Sequence, residues 1–188
     1  LDGKKCSGSL VIDETVKTID EKAFLFAKIT SVDIPNSVVT IGKNAFEGTL
    51  ITSVTIPNSV VTLGEDSFAS SQLTSVTIGN SVKSISSGAF YNTPLTSVIF
   101  GNSVTSIEYE AFRDTSLTSI TIPNSVTLIG QQAFNRSKLT SVNIPNSVKI
   151  IGPGAFSGLQ MISVTIGESV TEIGGGAFEG NLVLKTIS

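Results

Sequence analysis

LTSITIPNSVTLIGQQAF, Leu117 to Phe134, is the stretch on which the reading of this chain turns. Alone it looks like a β-strand running into a Pro-Asn turn, followed by a second apolar piece. The phrase returns as ITSVTIPNSV at Ile51 to Val60, LTSVTIGNSV at Leu73 to Val82 and LTSVNIPNSV at Leu139 to Val148. Repetition at a fixed period defines the architecture before any single element does. Phenylalanine marks the period at Phe24, Phe46, Phe68, Phe90, Phe112, Phe134, Phe156 and Phe178, always 22 residues apart. Alanine precedes each one except Phe68, where Ser67 stands.

Each unit carries the same apolar positions. Five residues after Phe come Ile29, Ile51, Leu73, Leu95, Leu117, Leu139 and Met161, eight after come Val32 to Val164, and ten after come Ile34 to Ile166, with Phe100 the exception. Residues two apart on a strand share a face, so the last two positions point into one core. Proline or glycine follows (Pro57, Gly79, Gly101, Pro123), then asparagine at 36, 58, 80, 102, 124 and 146. Proline removes a ladder donor and glycine frees the backbone, so both suit the corner after a strand. The second half reads less cleanly. Val126, Ile129, Ala133 and Phe134 have helical spacing, but Gly130 interrupts them. The expectation is a short strand-like piece at Thr127 to Gly130, then a helical turn around Gln131 to Asn135.

The spacing L-x-x-V-x-I, with the longer phrase L-T-S-V-T-I-P-N-S-V-x-x-I-G-x-x-A-F, resembles the BspA-like, or Treponema-type, leucine-rich repeats. The likeness runs from about Leu10 to Ile187. It implies a leucine-rich-repeat solenoid, mostly β with short helical turns. A parallel β-sheet would line the concave side over about eight 22-residue repeats, with a right-handed coil. It also implies a surface or secreted protein that adheres to host proteins, other cells or matrix. One departure stands out: the asparagine that leucine-rich repeats usually place nine positions into the unit is Ser37, Ser59, Ser81, Ser103, Ser125, Ser147 or Ser169 here. Their hydroxyls are expected to tie down buried backbone groups.

The period makes residues 1–188 a single array. Residues 1–24 read as a degenerate capping repeat, 25–178 as seven regular repeats and 179–188 as the start of a truncated one. Terminal repeats of solenoids are atypical because they seal the core. Cys6 is read as a small cap residue, with an intermolecular disulfide as the alternative. Leu184-Lys185-Thr186-Ile187 opens a new unit without a polar cap. The expectation is a fragment, or an exposed last strand able to pair end to end with another chain.

Composition narrows the chemistry. The 188 residues include 12 basic and 15 acidic side chains, a net charge of −3, and no histidine. No basic stripe is present to neutralise phosphates, so nucleic acid is not an expected partner. No apolar run is long enough to span a bilayer. Without histidine there is no Cys-His pair and no Ser-His-Asp triad, and one cysteine cannot build a structural zinc site. Gly174-Gly175-Gly176 lacks the lysine and spacing of a phosphate loop. The acidic pairs Asp13-Glu14, Asp20-Glu21, Glu65-Asp66 and Glu108-Glu110 share no repeat column, so nothing stacks them into a site. The chain reads as no enzyme, with no cofactor and no metal.

What remains is surface. Strand residues between the core positions face out: Asp33, Thr55, Thr77, Ile99, Thr121, Asn143 and Thr165, each two residues after a serine. At ~4.8 Å per strand, seven of them make a face roughly 30 Å long. These residues are either ordinary solvated strand residues or a hydroxyl array for a repetitive or extended ligand. Ice binding ranks low, since a curved sheet matches a flat lattice poorly. The period is most disturbed in the middle, at Tyr91, Pro94, Ile99, Phe100, Tyr109, Arg113, Asp114, Arg136 and Lys138, which marks either a binding site or the plain variation that surface loops tolerate. Tyr91, Arg113 and Arg136 are expected on the loop leading into the next strand, at one rim of the concave face, and Tyr and Arg are enriched at binding hot spots. The function expected is a non-catalytic adhesion module of a surface or secreted protein, recognising a protein or glycan ligand. The alternative is a spacer array with no ligand of its own.

Overall fold

The computed structural model describes residues 7–187. Cys6 lies outside them, and so does its reading. The chain winds into a solenoid of about eight turns, built from parallel strands, and no helix occurs among the described residues. Two strand positions recur in most turns. The first carries the V-x-I motif, as in Ser53–Ile56 and Ser141–Ile144, and the second is a two-residue piece such as Ser106–Ile107 or Leu128–Ile129. The register is one repeat per step, with Val54 against Val76 and Ile129 against Ile151.

Each element forms because its inward residues stack on copies of themselves. Val38, Val60, Val82, Val104, Val126 and Val148 are fully buried, as are Ile41, Ile85, Ile107, Ile129 and Ile151. The phenylalanines form a continuous pile from Phe24 to Phe178, with ring centroids 5.1 Å apart for Phe46 and Phe68 and 5.9 Å for Phe68 and Phe90. Offset stacks at such distances add to the burial of each ring.

The expected helical turn at Gln131 to Asn135 is instead a pair of tight turns, and the reason lies in where the N–H groups go. Phe112 N–H donates to Ala133 O (2.8 Å) and Asp114 N–H to Asn135 O (2.9 Å), both in the next repeat. The residues that alternate with them, Ala111 and Arg113, donate to carbonyls three positions back, Glu108 O and Glu110 O. A helix would keep all these bonds inside one segment. Here half of them run along the solenoid axis. The geometry requires left-handed backbone two residues before and two after each phenylalanine, as at Gln132 (φ 55°) and Arg136 (φ 55°) or Gly154 (φ 62°) and Gly158 (φ 71°). Glycine meets that requirement without steric cost, and most other residues do not.

The sheet carrying the V-x-I strands is parallel as expected but not continuous. It comprises three ladders: Ser7–Val11 with Lys28–Asp33; Ser53–Ile56, Ser75–Ile78 and Ser97–Ile99; and Ser141–Ile144, Ser163–Ile166 and Thr186–Ile187. Between the second and third, residues 119–122 form no strand. Phe100 stands where most other units place isoleucine. Its larger ring is only partly buried and sits edge-on to Phe112, centroids 5.8 Å apart at 84°. An oversized side chain in a filled column displaces its neighbours, and Val98 and Ile120 are correspondingly less buried than Val76 and Val142. The second sheet bridges the gap, running unbroken from Ser84–Ile85 to Glu172–Ile173.

Candidate functional site

The outward strand column assembles within each ladder. Thr55 pairs in register with Thr77 and Thr77 with Ile99, and Asn143 pairs with Thr165. Asp33 closes the first ladder opposite Val11. Thr121 is exposed and lies in the unladdered stretch between Ile99 and Asn143. Ile99 is 60% exposed, an apolar side chain among hydroxyls and amides.

Shallow depressions follow one edge of this column, along the Pro/Gly-Asn corners. One holds Glu14, Asp33 and Asn36; another runs from Asn36 and Thr55 past Asn58 and Asn80 to Ile99, Phe100 and Gly101. Two more hold Ile120 to Asn124 with Asn143, and Asn143 to Ser147 with Thr165 and Glu168. No lysine or arginine lines these depressions among the described residues.

Asparagine builds this edge. Asn80 N–H donates to Asn58 Oδ1 (2.8 Å), Asn102 N–H to Asn80 Oδ1 (2.9 Å) and Glu168 N–H to Asn146 Oδ1 (3.1 Å). Each bond orients an exposed side-chain amide against the next repeat. The sequence signal is six asparagines in one exposed column, which their place after the Pro/Gly corner marks only as turn formers. The serine beside them does less than expected. Ser125 Oγ donates to Val104 O (2.6 Å), whereas the hydroxyls of Ser37, Ser59 and Ser147 are buried without a partner. A different hydroxyl column ties down backbone, three residues after phenylalanine: Thr49, Ser71, Thr93 and Thr115 donate to the carbonyls of Phe46, Phe68, Phe90 and Phe112.

Tyr91, Arg113 and Arg136 follow the phenylalanine pile, and none lines the depressions. Arg113 is committed locally. It pairs with Glu110 and with Asp114 (3.2 Å), and its guanidinium lies 5.9 Å from the ring centre of Tyr91. Arg136 is exposed, its side chain over Gly158. Near this network burial pushes the Asp66 carboxyl above its ordinary value. Among the described residues no group of three acidic, cysteine or histidine side chains is placed to hold a metal ion, and no helix is long and apolar enough to cross a membrane.

Stacked 22-residue turns with an in-register outer column define a repeat solenoid of the leucine-rich class. The chain belongs to the BspA type leucine rich repeat region, which matches residues 4–115 and 105–188 in six copies. No curated protein matches it by sequence. Among solved structures it is similar to a leucine-rich repeat protein from Bacteroides ovatus, with 25% identity and a TM-score of 0.73 over 96% of this chain and 54% of that one. It is also similar to a leucine-rich cell surface protein from Faecalibacterium prausnitzii (27% identity, TM-score 0.55, 96% and 69% covered). The fold is shared with the pneumococcal vaccine antigen PcpA (20% identity, TM-score 0.59, 96% and 50% covered). This chain thus spans about half the length of the first and last of these. Proteins of this repeat family are typically binding modules.

Proposed function

We propose that the chain is a non-catalytic adhesion module of a surface or secreted protein. It recognises a protein or glycan partner through the outward strand column and the asparagine edge beside it. The observation that carries this reading is the alignment of outward, almost uncharged polar residues, Thr55 with the half-buried Thr77 and Asn143 with Thr165, next to a line of depressions. Solenoids bind along such extended surfaces. The family and the cell surface protein from F. prausnitzii support the location.

The test is saturable binding of the purified chain to immobilised extracellular-matrix proteins and to a glycan array. Thr55→Arg and Asn143→Arg, both at exposed positions, should weaken that binding at least about tenfold, as blocked hot-spot contacts do. Loss on Arg136→Glu with no effect of the two face variants would move the site to the opposite edge. No saturable binding to any surface would favour the spacer reading.

A further inference from the structure

The face has a chemical pattern along its length. Its centre is apolar: Ile99 is 60% exposed, and Phe100 beside it is only partly buried. An acidic side chain stands three repeats to each side of it, and Val11, 78% exposed, lies one repeat beyond Asp33 in the same column. Asp33 lies three repeats before Ile99 in the same column, and Glu168 stands in the asparagine column of the unit three repeats after. Both are exposed and both line the depressions, which carry no positive charge among the described residues. The space between is neutral hydroxyl and amide. Lys28, the first residue of its strand, and Lys138, in the loop before Ser141–Ile144, share one repeat column five residues ahead of the outward residues, and neither lines the depressions.

Resting on the binding reading above, we infer that the occupant is an extended polypeptide segment lying across the strands, with one apolar side chain at its centre and a basic side chain near each end. Three repeats at ~4.8 Å are about 14 Å, and an extended chain advances ~3.3 Å per residue, so each basic residue stands about four positions from the apolar one. An apolar anchor inside a polar rim is the anatomy of a protein interface. A sugar chain would want an exposed aromatic face to stack on, and the aromatic residue here, Phe100, is packed against the core and edge-on to Phe112. The charge pattern likewise disfavours acidic glycans, whose carboxylates or sulfates would meet Asp33 and Glu168.

The probe is a fluorescein-labelled peptide with leucine at its centre, lysine four positions to each side and serine elsewhere, titrated with the full chain by anisotropy. Binding should be saturable and should weaken with added salt, because exposed charges are screened. A peptide with serine for both lysines should bind about two- to fivefold more weakly, the scale of exposed ion pairs. Ile99→Thr restores the residue of the neighbouring columns, so its unfolding curve should be unchanged, while its affinity should drop about tenfold or more. Asp33→Asn combined with Glu168→Gln should abolish the preference for the lysine peptide. Equal affinity for both peptides, or an unaltered Ile99→Thr variant, overturns the inference. So does binding of a glycan, blocked by Asn143→Arg, without binding of the peptide; in that case the adhesion reading stands. If neither peptide, protein nor glycan binds, both readings fall.

Discussion

Ser67 shows how much one residue departs from its column. Every other unit has alanine before the phenylalanine, and Ser67 is fully buried with no partner for its hydroxyl. A buried hydroxyl without a hydrogen bond has lost its water and gained nothing. Ser67→Ala should therefore raise stability by ~1–2 kcal/mol in urea unfolding; a loss of stability would show that the hydroxyl has a partner after all. Thr49, in the hydroxyl column three residues after phenylalanine, is the opposite case. It is just as buried, but it donates to Phe46 O at 2.8 Å, so its removal takes from that carbonyl one of two hydrogen bonds, the other being the Thr49 N–H at 3.4 Å, rather than relieving a hydroxyl. The same residue class is thus an asset or a burden according to the partner its column supplies.

At the scale of the element, the double turn around each phenylalanine is the most constrained piece of the fold. Its two left-handed positions are filled by glycine in some units, as at Gly154 and Gly158, and by other residues elsewhere, as at Gln132 and Arg136. A non-glycine residue there costs ~1–2 kcal/mol in steric strain, offset in part because glycine makes the unfolded chain more flexible. Arg136 is exposed, so little packing is lost with its side chain. Arg136→Gly should stabilise the protein by about 0.5 kcal/mol, a small rise in the melting temperature. A fall would mean that the arginine stem packed over Gly158 outweighs the backbone strain. Helical spacing misled here because i, i+3, i+7 also arises when two turns of irregular backbone happen to present the same face.

For the whole molecule, stability is shared between neighbours along one axis. Phe112 is sandwiched between Phe90 and Phe134 at 5.4 Å on each side and is fully buried, whereas Phe178 stacks on Phe156 alone among the described residues and is partly exposed. Phe112→Ala should cost ~3–5 kcal/mol, and Phe178→Ala clearly less. Equal costs by chemical denaturation would argue against a stack in which each ring depends on both neighbours. The break in the first sheet belongs to this scale too. The ladder that ends at Ser97–Ile99 stops beside the enlarged side chain of Phe100, yet the phenylalanine pile and the second sheet pass that site without interruption.

The period, the solenoid, the buried columns and the outward residues were all legible in the sequence. They follow from apolar spacing within one unit, and a perfect 22-residue repeat propagates each local decision along the chain. The tertiary structure alone decided what depends on contacts between units. It placed Arg113 in a local network with Glu110, Asp114 and Tyr91. It gave the backbone-tying role to Asn58, Asn80 and Asn146 and to Thr49, Ser71, Thr93 and Thr115, while of the serine column Ser125 ties Val104 O and Ser37, Ser59 and Ser147 tie nothing. It also turned Ile99 and Phe100 from irregular letters into an apolar spot at a gap in the sheet. Spacing states which side of its own strand a side chain takes, but its partner lies 22 residues away, and only the packed stack determines whether the two meet.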